Sequence, residues 1–306
     1  MSDDLTIRCS SLARAMSCPG SVRAEQLANN GKPERTSRDA EQGHDFHAMV
    51  NNWLPFVFGY SWSERETCRE YTDLDWDVRF CLEQIDTSDG DNAVISWASE
   101  FEVSIPGFTG HPDLAVFRSN SHIDIYDWKS GHTANRNSAI YDKQGMGYSV
   151  CAAYDFDEPR TVTFHLISPN HPEPSQRHTL AIYDEETLKS AELAMYDTLE
   201  VARGDGAVRS LSPAACEHCD AGGTVCCPES CEYLKEFEVA ITKRETALDV
   251  PAMPNDALLA LANAADLAVR IAGAVKDELK ARMIDGTIET GDWMLKKGPE
   301  RKSMPD

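Results

Sequence analysis

The chain is predicted to adopt an α/β (α+β) fold, a central mixed sheet flanked by helices, and three observations carry that prediction. Apolar residues recur at helical spacing before residue 86 and again in 138–154 and 185–202. Between residues 94 and 128, apolar and polar residues alternate in runs broken by turn residues. The resulting order of helices, three strands, helix, strands and helix fits one sheet with helices packed on it. Added N- and C-terminal helices and a Cys-rich metal-binding segment complete the expectation.

Residues 10–29 read as helix, interrupted at Cys18-Pro19-Gly20, where Pro and Gly break the pattern. Gly31–Arg38 is a loop rich in Lys, Arg and Ser. Residues 40–54 place Phe46, Met49, Val50, Trp53 and Leu54 at helical spacing, and Asp75–Ile85 is a further helix. Val94–Ile105 reads as strand up to the turn Pro106-Gly107. Gly110–Phe117 and His122–Trp128 follow as strands joined through Arg118-Ser119-Asn120-Ser121. Ser138–Tyr154 reads as helix, Val162–Ser168 and His178–Ile182 as strands, and Glu185–Ala202 as helix. Residues 204–232 are irregular and Cys-rich, and helices are expected over Glu232–Thr246 and Asp256–Ile284, the second capped by Asn255 or Asp256. A short strand and a basic tail end the chain at Gly291–Asp306. The expected division is a domain over 1–235 and a helical extension over 236–306.

With 306 residues and 42% apolar composition, the chain can bury one large core or a core and a small subdomain. Met1-Ser2-Asp3-Asp4-Leu5 has neither a basic nor an apolar signal region, and no apolar run approaches a membrane span. The expectation is a soluble, cytoplasmic protein without membrane contact. The net charge of −22 argues against a simple nucleic-acid binder, because phosphate contacts need Lys and Arg. Nucleic-acid binding would therefore use a local basic track, or a partner that supplies affinity.

The chemistry concentrates in His111-Pro112-Asp113 and Asp127-Trp128-Lys129, on consecutive strands expected to pair as a hairpin. Paired strands lie about 4.8 Å apart, so both carboxylates can meet at one end of the sheet. Asp127 and Lys129 share a face, and Trp128 points to the other. Two carboxylates suit Mg²⁺, which keeps oxygen ligands and several waters. Such an ion polarises a phosphoryl oxygen and activates water, and a neighbouring lysine stabilises the developing charge. The pattern points to metal-dependent phosphodiester hydrolysis.

Gly110-His111-Pro112-Asp113 followed by Asp127-Trp128-Lys129-Ser130-Gly131 resembles the core of RecB/AddB-type PD-(D/E)XK nucleases. Upstream, Gly43-His44-Asp45-Phe46-His47 matches that family's G-x-x-x-H helix. Downstream, Gln144-Gly145-Met146-Gly147-Tyr148 matches its Q-x-x-x-Y helix, and the likeness covers residues 10–232. The resemblance implies a restriction-endonuclease-like fold and a DNA nuclease, an exonuclease of recombination or end processing. It implies His47 as a metal ligand with Asp113, Asp127 and the backbone carbonyl of Trp128, with His44 as the alternative histidine. Histidine extends the metal choice from Mg²⁺ to Mn²⁺. Glu100 or Glu102 would add an acidic group, and Gln144 and Tyr148 would border the site and contact DNA or Lys129. The implied partners are DNA with a free end or a single strand, and a recombination or single-strand-annealing protein.

Of the ten cysteines, five fall between Cys216 and Cys231, a density that in an intracellular chain points to metal rather than disulfides. Many nucleases of the family carry a 4Fe–4S cluster held by one cysteine before the core and three after it. Cys18, Cys216, Cys219 and Cys226 match that arrangement, and would staple the domain ends together. Cys227 and Cys231 are alternative ligands, and a self-contained zinc site without Cys18 is the alternative metal. Residues from Gly291-Asp292-Trp293 through Arg301 resemble the tail of a phage-encoded branch of the superfamily, with host cytoplasm the implied location. A non-catalytic binding or assembly protein that keeps the fold and the cluster is the competing expectation, and a purely structural zinc protein is the third.

Overall fold

The computed structural model describes residues 5–29, 38–87, 92–119, 121–130, 138–155, 161–204, 206–210, 213–216, 219, 221 and 227. The chain divides into two compact units, Met1–Ser210 and Leu211–Asp306. The first carries two sheets. In the second, the described helix is Pro213–Cys216. The expected helices Glu232–Thr246 and Asp256–Ile284, the basic tail, Gly131, Cys226 and Cys231 lie outside the described residues.

The first unit opens with β1 (Ile7–Arg8), a 3-10 turn at Cys9–Ser11, α1 (Leu12–Ser17) and α2 (Gly20–Asn29). The break between the helices falls at Cys18-Pro19, where the sequence places it. Helix α3 (Arg38–Gly59) runs five residues beyond its expected end and passes through Pro55. Its buried stripe Phe46, Val50, Leu54 and Val57 explains why it continues: the apolar face outlasts the proline. Two short helices not foreseen from the sequence follow, α4 (Trp62–Thr67) and α5 (Arg69–Thr72), the first opened by a capping box between Ser61 and Glu64. Helix α6 (Trp76–Glu83) buries Val78, Cys81 and Leu82.

The strand expected over Val94–Ile105 proves to be two, and the one expected over Gly110–Phe117 begins at Leu114, with Gly110 ending a separate short strand. Strand β2 (Val94–Ser99) belongs to the large sheet, and β3 (Val103–Ile105) and β4 (Phe108–Gly110) to a small one, before β5 (Leu114–Arg118) returns to the large sheet. The chain leaves the large sheet at Glu100, whose φ of 49° places a non-glycine residue in the left-handed region, and re-enters it after Asp113. The small sheet has the order β1-β4-β3, with β1 parallel to β4.

The large sheet is completed by β6 (His122–Trp128), β7 (Thr161–Ile167) and β8 (His178–Asp184), in the order β2-β5-β6-β7-β8. Helix α7 (Lys143–Asp155) makes the crossover that lets β6 and β7 run parallel. Helix α8 (Glu185–Arg203) follows β8, capped by the Asp184 side chain accepting from the Thr187 amide. Alternation along β6 feeds two cores. Ile123 and Ile125 pack with Met146, Val150, Phe164 and Met195, whereas Tyr126 and Trp128 pack with Phe46, Val50, Leu54 and Leu82. Covering both faces with helices buries β6 from Ile123 to Trp128, as the mixed-sheet expectation requires. No described helix is long and apolar enough to cross a membrane.

Candidate metal centre

The register of the central hairpin pairs Leu114 with Tyr126 and Ala115 with Ile125. Extended by one pair, it sets Asp113 opposite Asp127 at the carboxyl end of β6. Both are buried, and the backbone amide of Trp128 donates to Asp113 Oδ2 at 2.6 Å. That bond fixes the Asp113 carboxylate across the strand gap.

Helix α3 brings His47 over the same end. Its Nδ1 lies 3.1 Å from Asp113 Oδ1 and 3.7 Å from Glu100 Oε1. His47, Glu100 and Asp113 each offer a ligand atom within 4.8 Å of the other two. One imidazole nitrogen and two carboxylate oxygens form a donor set that fits Mn²⁺ or Mg²⁺. Burial works against a charge on His47, but hydrogen bonding to Asp113 and Glu100 and the charges of Asp113 and Asp127 outweigh it, and its pKa is pushed up to about 10. The hydrogen bond from His47 is the main influence on Glu100, and holds its carboxyl below the usual range against burial.

Asp127 stands beside this trio in a different partnership. Lys129 Nζ lies 2.6 Å from its Oδ2, and Gln144 Nε2 donates to its Oδ1 at 3.2 Å. Gln144 Oε1 accepts from Lys129 at 3.3 Å, and the second amide hydrogen of Gln144 goes to the Tyr148 hydroxyl oxygen at 2.7 Å. Asp127 is fully enclosed, and that desolvation raises its pKa, with the Lys129 charge pulling the other way. Tyr148 is raised by burial and by the Asp127 charge. Gly110 makes room for this helix: a Cβ there would lie 2.6 Å from Tyr148 Cε1 and 2.9 Å from Cys9 Sγ.

The structure thus gathers His47, Asp113, Asp127, Trp128, Lys129, Gln144 and Tyr148 at one end of one sheet. Trp128 takes part through its N–H, and its indole packs in the core on the α3 side. Glu100 sits with His47, whereas Glu102 faces His111 at 3.8 Å and accepts from Thr109 at 3.4 Å. His44 is exposed. Sequence reasoning left Glu100 and Glu102 open because the choice turns on one backbone torsion.

Cys18 is buried at the end of α1, where its sulfur accepts from the Ser210 amide at 3.2 Å. Cys216 ends the Pro213–Cys216 helix, and its carbonyl accepts from the Cys219 amide at 3.4 Å.

A second polar group, unforeseen from the sequence, lies on the reverse face of β6. Asp124 pairs with the buried guanidinium of Arg118 and accepts from His122 and His165 at 3.0 and 3.1 Å. Burial would raise the Asp124 carboxyl, but hydrogen bonding to both imidazoles and the His165 and Arg118 charges hold it well below its usual range. Gln84 Nε2 donates to the Phe80 carbonyl, which turns Oε1 toward His178 Nδ1 at 3.0 Å. His178 Nδ1 is therefore the donor, and its Nε2 accepts from His165 Nδ1 at 3.0 Å. Burial, aided by the His165 charge, lowers His178 to about 4.

A family model described as a protein of unknown function, DUF2800, matches residues 6–304. No curated protein matches. Among solved structures, the alkaline exonuclease LHK-Exo of Laribacter hongkongensis is 11% identical, with 77% of this chain and 94% of that chain covered at a TM-score of 0.36. Its complex with dAMP gives 12% identity over 77% and 94% of the two chains, also at 0.36. A protein called SSO0001 is 13% identical over 72% of this chain and 85% of its own, at a TM-score of 0.38. Similarity at this level carries no argument about the site.

Proposed function

The chain belongs to the DUF2800 family, and from that premise, since the family's description carries no chemistry, we propose that it is a divalent-metal-dependent nuclease hydrolysing phosphodiester bonds of DNA. One observation supports this reading above the rest: the His47–Glu100–Asp113 donor trio adjoins the Asp127–Lys129–Gln144 network. A cation held by His47, Glu100 and Asp113 would polarise a phosphoryl oxygen and ease deprotonation of an attacking water. The Lys129 ammonium, beside the trio, would stabilise charge developing on the phosphoryl oxygens. Gln144 holds Lys129 and Asp127 in mutual register, and Tyr148 anchors Gln144. Asp127, now paired with Lys129, and the Trp128 carbonyl would be further ligands of such a cation.

The finer reading is an exonuclease of recombination or end processing, acting on DNA with a free end. It rests on the likeness of the four motifs to RecB/AddB-type nucleases. The same likeness supports a 4Fe–4S cluster on Cys18, Cys216, Cys219 and Cys226, with Cys18 buried and its sulfur already accepting an amide hydrogen. Visible absorbance of anaerobically purified protein, lost in Cys18→Ser, tests it; colourless protein with one zinc that survives Cys18→Ser refutes it.

The test of the nuclease reading is cleavage of end-labelled linear and circular DNA with Mg²⁺ or Mn²⁺. Wild type is expected to cleave, with Asp113→Ala and Lys129→Ala inactive, and circular DNA is expected to resist. Equal cleavage by all three proteins would refute the site. The net charge of −22 favours a second reading, a non-catalytic assembly protein, for which no variant or metal would alter the DNA.

A further inference from the structure

We propose that Asn51 is a positioning residue of the metal centre, fixing Glu100 as its third ligand; this rests on the reading of His47, Glu100 and Asp113 as a divalent-cation site. Asn51 lies four residues after His47 on α3, so the two share a face of that helix. Its Nδ2 donates to Glu100 Oε1 at 3.2 Å. One helical turn thus presents the imidazole ligand and, next to it, the amide that aims a carboxylate from another element.

Glu100 needs that aim. Among the described residues, it and Ser121 are the two non-glycine residues with positive φ. Ser121 belongs to the β5–β6 turn, where such a torsion serves the reversal. Glu100 lies at the corner where the chain leaves β2, and the torsion breaks the alternation of side chains along the strand. The Glu100 amide donates to the Asp113 carbonyl at 3.1 Å, which ties its backbone to the residue bearing another ligand. Backbone and side chain are thus each restrained by a partner on, or beside, a ligand residue. Strained backbone of this kind persists only where its surroundings over-determine it.

The amide suits this task better than a cation would. Lys or Arg at residue 51 would also grip Glu100, but would place a fixed positive charge where a metal ion must come. Asn51 gives direction without charge. It does so at a cost to itself, because its Oδ1 is buried and accepts no hydrogen bond among the described residues. A buried acceptor left unmatched in a half-exposed helix residue calls for a reason, and orientation of Glu100 supplies one.

The test is Mn²⁺ binding to the full chain by isothermal titration calorimetry, with thermal unfolding of the metal-free proteins alongside. Partners behind a ligand typically contribute 10–100-fold in metal affinity. Asn51→Ala is therefore expected to weaken Mn²⁺ binding about tenfold. Alanine favours helix, so the metal-free unfolding temperature should not fall. Because Asn51 acts through Glu100, adding Asn51→Ala to Glu100→Ala should bring no further loss. Wild-type affinity in Asn51→Ala, or an equal loss in both backgrounds, overturns the positioning role while leaving the site intact. Wild-type affinity in both Asp113→Ala and Glu100→Ala overturns the site, and the role of Asn51 with it.

Discussion

If the His47–Glu100–Asp113 group takes up a metal ion as proposed, binding should expel a proton, because the surroundings of His47 favour its protonated form. Its pKa of about 10 is set by burial, which opposes the charge, and by Asp113, Glu100 and Asp127, which more than compensate. A metal ligand must be the neutral imidazole, so metal and proton compete for one ring. Around neutral pH only about one His47 in a thousand is neutral, a competition of about 4 kcal/mol. The sign follows: a raised basic pKa favours the protonated form, so apparent metal affinity rises with pH, about tenfold per unit, until the pH nears 10. Calorimetric Mn²⁺ titrations between about pH 6 and 8, in two buffers of different ionisation enthalpy, would give the slope and count the protons released. The expected result is close to one proton per ion, with a flat and weaker profile in His47→Ala. A wild-type affinity independent of pH, with no buffer-dependent heat, would refute both the charge state and the ligand role.

Three further outcomes concern the frame around the site. Because the His178 pKa falls from 6.5 to about 4 on folding, the contribution is full above about pH 6.5 and lost as pH drops toward 4. Urea unfolding at either end of that window should show the wild type losing about 3 kcal/mol more than His178→Asn, and parallel pH profiles would contradict this. Asp124→Asn strands the buried Arg118 guanidinium and should cost about 3–5 kcal/mol in the same assay; a loss below about 1 kcal/mol would mean Asp86 suffices as its partner. Gly110→Ala drives a methyl group against Tyr148 and Cys9, and should destabilise by about 1–3 kcal/mol while lowering cleavage. Unchanged activity in a folded Gly110→Ala protein would detach Tyr148 from the site.

Much of this was legible in the chain because the relevant signals are local. Asp113 and Asp127 could be placed opposite each other from two strand patterns and a turn, and Gln144 and Tyr148 on one helix face from their spacing. The small sheet was not legible. Strand β1 is two residues long, and its partner β4 lies about a hundred residues away. Alternation also continues across the corner at Glu100, so β2 and β3 read as one strand, whereas β4 was missed but for Gly110, which was joined to β5. The preference for Glu100 over Glu102 depends on a torsion that no composition encodes. Asn51 carries no motif at all, and the Asp124–His165–His178 group joins three strands and the end of α6, a convergence visible only after folding.

The corners where the chain changes sheets have a consequence for how this molecule can vary. Two of the three clustered donors, Glu100 and Asp113, stand at the exit from and the return to the large sheet, with β3 and β4 as the excursion between them. Any shift of that excursion against its neighbours moves both carboxylates together relative to His47. Substitutions in the packing of Ile105 or Phe108, well away from any ion, should therefore act as a tuning screw on coordination. Insertions at the opposite end of the sheet, between β5 and β6, would leave it untouched.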